Sequence, residues 1–215
     1  MDSIRIFGYK SFKKLSVQLH PINLLIGANG AGKSNFLSLF EMLGNIYEKR
    51  LGAYVAQVGG VDKLLYQGRK VTDRIAVSLL IAKSEYDLAL LESDGKLIVE
   101  KEAIGCYDDV CPLNLERKNV ITEYQNESSL KDHKEEDLSN YISQIRKFHF
   151  HDTGRRSPFT ADSHIVNDAY RMYEHGENLA AILYRIQREK PMAYRRIIRV
   201  IQSVAPNFSD FYLQA

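Results

Sequence analysis

The spacing of apolar positions changes several times along the 215 residues, and each change marks an element. Ile4 and Ile6 alternate with polar neighbours from Ser3 to Phe7, the two-residue period of a strand. Gly8-Tyr9-Lys10-Ser11 reads as a turn, after which Leu15, Val17 and Leu19 resume the alternation as a half-buried strand. His20-Pro21 breaks it. The apolar stretch Ile22-Asn23-Leu24-Leu25-Ile26 then reads as a buried strand. Beyond it the period lengthens to that of a helix running to about residues 47–51, with Phe36, Leu37, Phe40, Leu43 and Ile46 on one stripe. Gly59-Gly60 marks a turn, and residues 61–65 one short helical turn.

Period two returns from Arg74 to about Ala103. Ile75, Val77, Leu79 and Ile81 form one run, Tyr86 to Leu91 a second, and Leu97 to Val99 a third. Asp94-Gly95 separates the last two as a tight hairpin turn. An antiparallel meander over about 70–104, inserted after the first helix, is expected. Residues 104–130 are less regular. A helical segment is expected over about 128–205. Its first helix is capped by Ser128 or Ser129, ends near Arg146, and carries charges of alternating sign from Lys131 to Asp137. Phe148 to His151 reads as a strand, and 152–162 as a loop. Leu179, Ile182, Leu183 and Ile186 share one face of a helix over 177–189. Pro191 suits the first turn of another, striped by Ile197, Ile198, Ile201 and Val204 and stopped at Pro206. Phe208 to Leu213 reads as the start of a strand. The pattern predicts an α/β fold: a lobe built on strand, loop and helix, with an antiparallel β-meander insertion and a helical arm.

Between the expected buried strand and the first helix stands Gly27-Ala28-Asn29-Gly30-Ala31-Gly32-Lys33-Ser34, which is G-x-x-x-x-G-K-[ST] without a mismatch. Strand, glycine-rich loop and helix is the context that makes this string a phosphate site. Glycines let backbone N–H groups converge on an anion without a Cβ in the way. The helix start aims its free amides and positive dipole end at the same point. Lys33 supplies a mobile charge for the β- and γ-phosphates, and Ser34 a hydroxyl ligand for Mg²⁺. The pattern therefore points to a nucleoside triphosphate with magnesium.

Composition narrows the remainder. The formal net charge of +2 is too mild to argue for nucleic acid from bulk charge alone. No apolar run approaches the roughly 20 residues of a membrane span, and the first residues lack the regions of a signal peptide, so a cytoplasmic protein is expected. Cys106 and Cys111 are the two cysteines. Without a second pair they read as free thiols rather than a zinc site.

Ile4-Arg5-Ile6-Phe7-Gly8-Tyr9-Lys10-Ser11-Phe12, followed by Ile22-Asn23-Leu24-Leu25-Ile26 and the loop through Asn35, resembles the N-terminal head of SMC and RecF-like ATPases. These are ABC-type P-loop NTPases. Gly59-Gly60 with Leu64, Leu65 and Gly68, Phe148 to Thr153, Asn178 to Tyr184, and Val204-Ala205-Pro206 with Phe208 and Phe211 look like a bacterial RecF-like subgroup, a predicted AAA-family ATPase. The resemblance implies an ABC-ATPase-like head lobe in which ATP is held between two heads, so a homodimer or a partner ATPase head. It implies that Asn29, Gly30, Ala31, Gly32, Lys33 and Ser34 bind phosphates, Lys33 with a catalytic role, that Ser34 binds Mg²⁺, and that Asn35 extends the motif. Tyr9 or Phe12 could stack on adenine.

The family's hydrolytic glutamate follows an apolar strand as h-h-h-h-D-E (the Walker B element), and its signature loop resembles L-S-x-G. Neither is found: Leu79-Leu80-Ile81-Ala82 is followed by Lys83, Leu90-Leu91-Glu92 lacks the aspartate, and Leu138-Ser139-Asn140-Tyr141 lacks the glycine. Residues 1–215 are thus expected to be the N-terminal portion of such an ATPase, hydrolysing ATP only when completed by these elements and coupled to DNA or to genome maintenance or defence. The alternative is a non-catalytic nucleotide-binding module, regulatory or assembling, that acts with a partner chain. Gln67 and Gln144 are both candidates for the family's glutamine that senses Mg²⁺. His149 and His151 would share one strand face, as a metal pair, a polar loop near the nucleotide, or plain structure. Arg185, Arg188, Lys190, Arg195, Arg196 and Arg199 stand against one acid, Glu189, as a nucleic-acid contact or a solvated face.

Overall fold

The computed structural model describes residues 1–82, 84–106, 118–133, 136–148 and 169–213. The chain divides into two units, Met1–Ile145 and Arg146–Ala215. In the first, alternating segments pair into one six-stranded antiparallel sheet of order β2-β1-β3-β4-β5-β6. The strands are β1 (Ser3–Tyr9), β2 (Phe12–Gln18), β3 (Arg74–Ile81), β4 (Ser84–Ser93), β5 (Lys96–Cys106) and β6 (Lys118–Gln125). Register puts the apolar runs on one face: Ile4 lies opposite Leu79, Ile6 opposite Val77, Val77 opposite Leu88, and Ile75 opposite Leu90. That face is buried together with one side of α1 (Lys33–Tyr47), through Phe36, Leu39, Met42, Leu43 and Ile46. Each such side chain contributes about 1.5–3 kcal/mol by leaving water.

The meander is found, and its turn at Asp94 and Gly95 has both residues left-handed, at φ 50° and 77°, as a tight two-residue hairpin requires. It is not a separate insertion. Its first strand, β3, pairs with β1, and the sheet continues past residue 104 into β6. A bulge in β5 beside Ala89 and Leu90 places Leu90 opposite Val99 but Ala89 opposite Lys101. One extra residue inverts the facing of the strand beyond it, so Glu102 points inward and is fully buried.

Other expectations change as well. The run Ile22 to Ile26 is not a buried strand. It pairs with no described strand, and Ile22, Leu24 and Ile26 are 90%, 81% and 84% exposed. An apolar run is buried only if neighbours flank both faces, and the described sheet offers none there. The buried stripe of α1 is rotated from the expected one: Leu37 faces solvent, while Leu39 and Met42 face the sheet. A second helix, α2 (Leu51–Gln57), follows the first, its core contacts being Leu51, Tyr54 and Val55. The helix expected from Ser128 is split into a 3-10 turn, Leu130–Asp132, and α3 (Glu136–Ser143), with His133 extended between them. Leu138 and Ile142 of α3 join the core of the first unit.

The second unit contains α4 (Leu179–Glu189) and α5 (Pro191–Val204), with Pro191 in the first turn of α5 as expected. Leu183 and Tyr194 are its buried anchors. Asn178 is buried ahead of α4, where its Oδ1 accepts from the Tyr173 amide and its Nδ2 donates to the Arg171 carbonyl. Phe208 to Leu213 is irregular rather than a strand, and Phe208 meets Phe211 edge-on at 5.0 Å. His149, His151 and the 152–162 loop lie outside the described residues.

Candidate functional site

The loop between residues 27 and 34 is built by two left-handed glycines and a lysine. Gly30 has φ 84°, and Gly32, at φ 92° and ψ 1°, is the residue from which α1 starts. The helical ladder begins with the Phe36 amide on the Gly32 carbonyl at 2.9 Å. The amides of Lys33, Ser34 and Asn35 precede that bond and have no helical acceptor. Ala31 donates to the Ala28 carbonyl at 3.2 Å, which curls the loop upon itself. Lys33 reaches back across it, its Nζ donating to the Gly27 and Ala28 carbonyls at 2.7 Å each. Asn29, Gly30, Ala31 and Ser34 are solvent-exposed, and Gly32, Lys33 and Asn35 half-buried.

The β1–β2 turn supports this loop. A Cβ on Gly32 would stand 3.0 Å from Ser11 Oγ and 3.2 Å from the Phe12 ring, so a larger residue would press that turn back. Asn35 Nδ2 donates to Ser11 Oγ at 3.0 Å, giving the motif-extending asparagine a definite task. Behind the loop, Ser38 of α1 gathers three side chains. Lys10 Nζ donates to its Oγ at 2.8 Å, Tyr9 shares a 2.9 Å hydrogen bond with the same oxygen, and Tyr54 donates to its carbonyl. Burial pushes the Tyr9 and Tyr54 hydroxyls up from the ordinary tyrosine range. Tyr9 is thereby removed as an adenine-stacking candidate: it is fully buried. Phe12 keeps its place beside the loop.

Next to Asn35 and Ser11 opens a cleft of about 730 Å³ whose far wall is the segment after Gly59-Gly60. Gln67 and Gly68, both left-handed at φ 57° and 77°, turn that wall. Asp62 holds it, accepting from the Arg69 amide at 2.9 Å and facing the Arg69 guanidinium at 3.4 Å. Gln67 is brought to this cleft, and Gln144 is not among its lining residues. The contributions of Lys10 and Ser11 carry no signal beyond their place in the opening motif. Their function is set by the β1–β2 turn packing on Gly32. Among the described residues no three His, Cys, Asp or Glu side chains cluster as a metal site, and no helix is long and apolar enough to cross a membrane.

A glycine-capped helix start, free amides and a lysine folded over its own loop fit a nucleoside triphosphate with magnesium. The approach to Gly30 is open, and Ser34 is exposed beside it. The comparison with known families supports an AAA-type P-loop ATPase. The model of the AAA ATPase domain family matches residues 1–189, and the chain belongs to that family. No curated protein matches it.

Proposed function

We propose that residues 1–215 are the nucleotide-binding lobe of a RecF/SMC-like ATPase head. The lobe takes Mg-ATP at the 27–34 loop and hydrolyses it only when residues from outside this stretch complete the site. The observation that carries the reading is the loop itself, with Gly32 in the left-handed conformation, three amides ahead of the helical ladder, and Lys33 spanning Gly27 and Ala28. Mg-ATP, when bound, would supply the terminal phosphate that water attacks. The chain's residues would orient and neutralise it: the amides of Lys33, Ser34 and Asn35 would hold phosphate oxygens, Lys33 would exchange its two carbonyl bonds for the anion, and Ser34 would offer its hydroxyl to the metal.

Two further observations support completion from elsewhere. The stretch Ile22 to Ile26, which leads into the loop, is apolar and in water, the condition of a strand whose neighbours are supplied by other residues. In the cleft beside the loop the acid among the lining residues is Asp62, already engaged by Arg69. Among the described residues lining the cleft, no other carboxylate stands ready to orient a water. The reading is tested with the purified chain, a fluorescent ATP analogue and a phosphate-release assay. Binding with magnesium, background turnover, and loss of binding in Lys33→Ala are expected. Turnover abolished by Lys33→Ala would place the catalytic groups inside the chain, and absence of nucleotide binding would remove the site altogether.

A further inference from the structure

Positive charge is unevenly distributed between the two units. Residues 146–215 hold eleven Lys and Arg against seven Asp and Glu, whereas residues 1–145 hold eighteen against twenty. Within the second unit the excess gathers on α5, which has three arginines and no acid in Pro191–Val204. At about 100° per residue, Arg195, Arg196 and Arg199 fall within one arc of about 100°. Tyr194 is buried on the opposite side, flanked by the half-buried Ile197, Ile198 and Ile201. All three arginines are exposed, as is Lys190 at the helix start.

The two acids that flank α5 in the sequence, Glu189 and Asp210, are already engaged. Glu189 accepts from Arg185 Nε at 2.8 Å. Asp210 accepts from the Tyr194 hydroxyl at 2.5 Å and from the Phe211 amide at 2.8 Å. Arg185 is further held against the Tyr170 ring at 4.1 Å, and Arg188 donates to the Tyr184 hydroxyl. Among the described residues Arg195, Arg196 and Arg199 have no ion pair. Like charges one turn apart destabilise a helix, a cost that an anionic partner would offset.

We propose that the solvent face of α5 docks on the phosphate backbone of duplex DNA. Guanidinium forks match phosphate oxygens. Arg195 and Arg199, about 6 Å apart along the axis, are far enough apart to take separate phosphates. The face has no aromatic ring on which unpaired bases could stack, which disfavours a single strand. It carries Met192 and Val200 but no Trp, Phe or Leu to enter a bilayer. Ser203 is its one short polar side chain, too little to read the 2′-hydroxyls of duplex RNA. The proposal is independent of the nucleotide site.

The test is fluorescence anisotropy of a short labelled DNA duplex titrated with the full chain over a range of salt concentrations. R195Q/R196Q/R199Q is expected to bind at least about tenfold more weakly. Its plot of log affinity against log salt should be flatter by about 2.7, since each phosphate contact contributes about 0.9. The corresponding Arg→Lys triple keeps the slope, and K14Q/K101Q on the sheet keeps both affinity and slope. If the triple variant loses its helical circular dichroism, single variants each flattening the slope by about 0.9 carry the same information. The proposal is overturned if the wild-type chain leaves the duplex free at the lowest salt, or if the triple variant keeps the wild-type slope. Preference for duplex RNA, or for phosphatidylserine vesicles, overturns it equally.

Discussion

Replacing Gly32 with alanine isolates the feature on which the phosphate loop depends. Gly32 opens α1 at φ 92° and ψ 1°, and an L-residue held in left-handed backbone costs about 1–2 kcal/mol. The new Cβ would also stand 3.0 Å from Ser11 Oγ and 3.2 Å from the Phe12 ring, so the β1–β2 turn must retreat. Gly30→Ala separates the two costs in stability, because φ there is 84° and nothing lies within 4 Å of its Cβ. Urea unfolding is expected to show Gly30→Ala less stable by about 1 kcal/mol and Gly32→Ala by about 2 kcal/mol. If the observed loop conformation is the one that presents its amides, about 2 kcal/mol lowers nucleotide affinity roughly thirtyfold, at tenfold per 1.4 kcal/mol. A fluorescent ATP analogue reads that change. A Gly32→Ala chain with the wild-type urea midpoint and undiminished affinity would refute the claim that this glycine shapes the site.

Two further outcomes follow from the interior. The Glu102 carboxylate accepts from Tyr86 at 2.5 Å, Ser128 at 2.6 Å, Thr122 at 2.8 Å and the Ser129 amide at 2.9 Å. Glu102→Ala strands those donors and should cost about 3–4 kcal/mol in urea unfolding. Glu102→Gln, which keeps one acceptor oxygen, should cost about half as much, and losses below about 1 kcal/mol for both would show that the cluster stabilises nothing. In the second unit, burial and the adjoining Asp210 carboxylate push the Tyr194 hydroxyl up to about 12, against about 10 when unfolded. The folded state therefore holds this proton longer. Its contribution to stability is intact below pH ~10 and is lost as pH rises through ~12. The difference in absorbance at the tyrosinate band between wild type and Tyr194→Phe should have its midpoint near that higher value, and a midpoint near 10 contradicts the assignment.

Local patterns were the readable ones. The 27–34 loop needs a fixed order of residue types in consecutive positions, so its chemistry is on the surface of the sequence. Asp94-Gly95 is legible for the same reason, since two left-handed residues between alternating runs admit few conformations. Asn35 could be named a site residue, but its bond to Ser11 could not, because it depends on which turn packs beside the helix start. Tyr9 illustrates the opposite failure. An aromatic in the opening motif can stack on a base or fill a core, and only the position of Ser38 on α1 decides.

By itself the sequence determined a glycine-rich loop with the phosphate-site pattern ahead of a helix, the two-residue alternation of the strands, and the basic, acid-free character of residues 191–204. Tertiary structure alone decided that β3 joins β1 in one sheet, that a bulge turns Glu102 inward, and that Ile22 to Ile26 lies in water. The physical reason is range. Backbone conformation and side-chain chemistry are fixed within a few residues, whereas register, facing and burial are set by partners contributed from far along the chain.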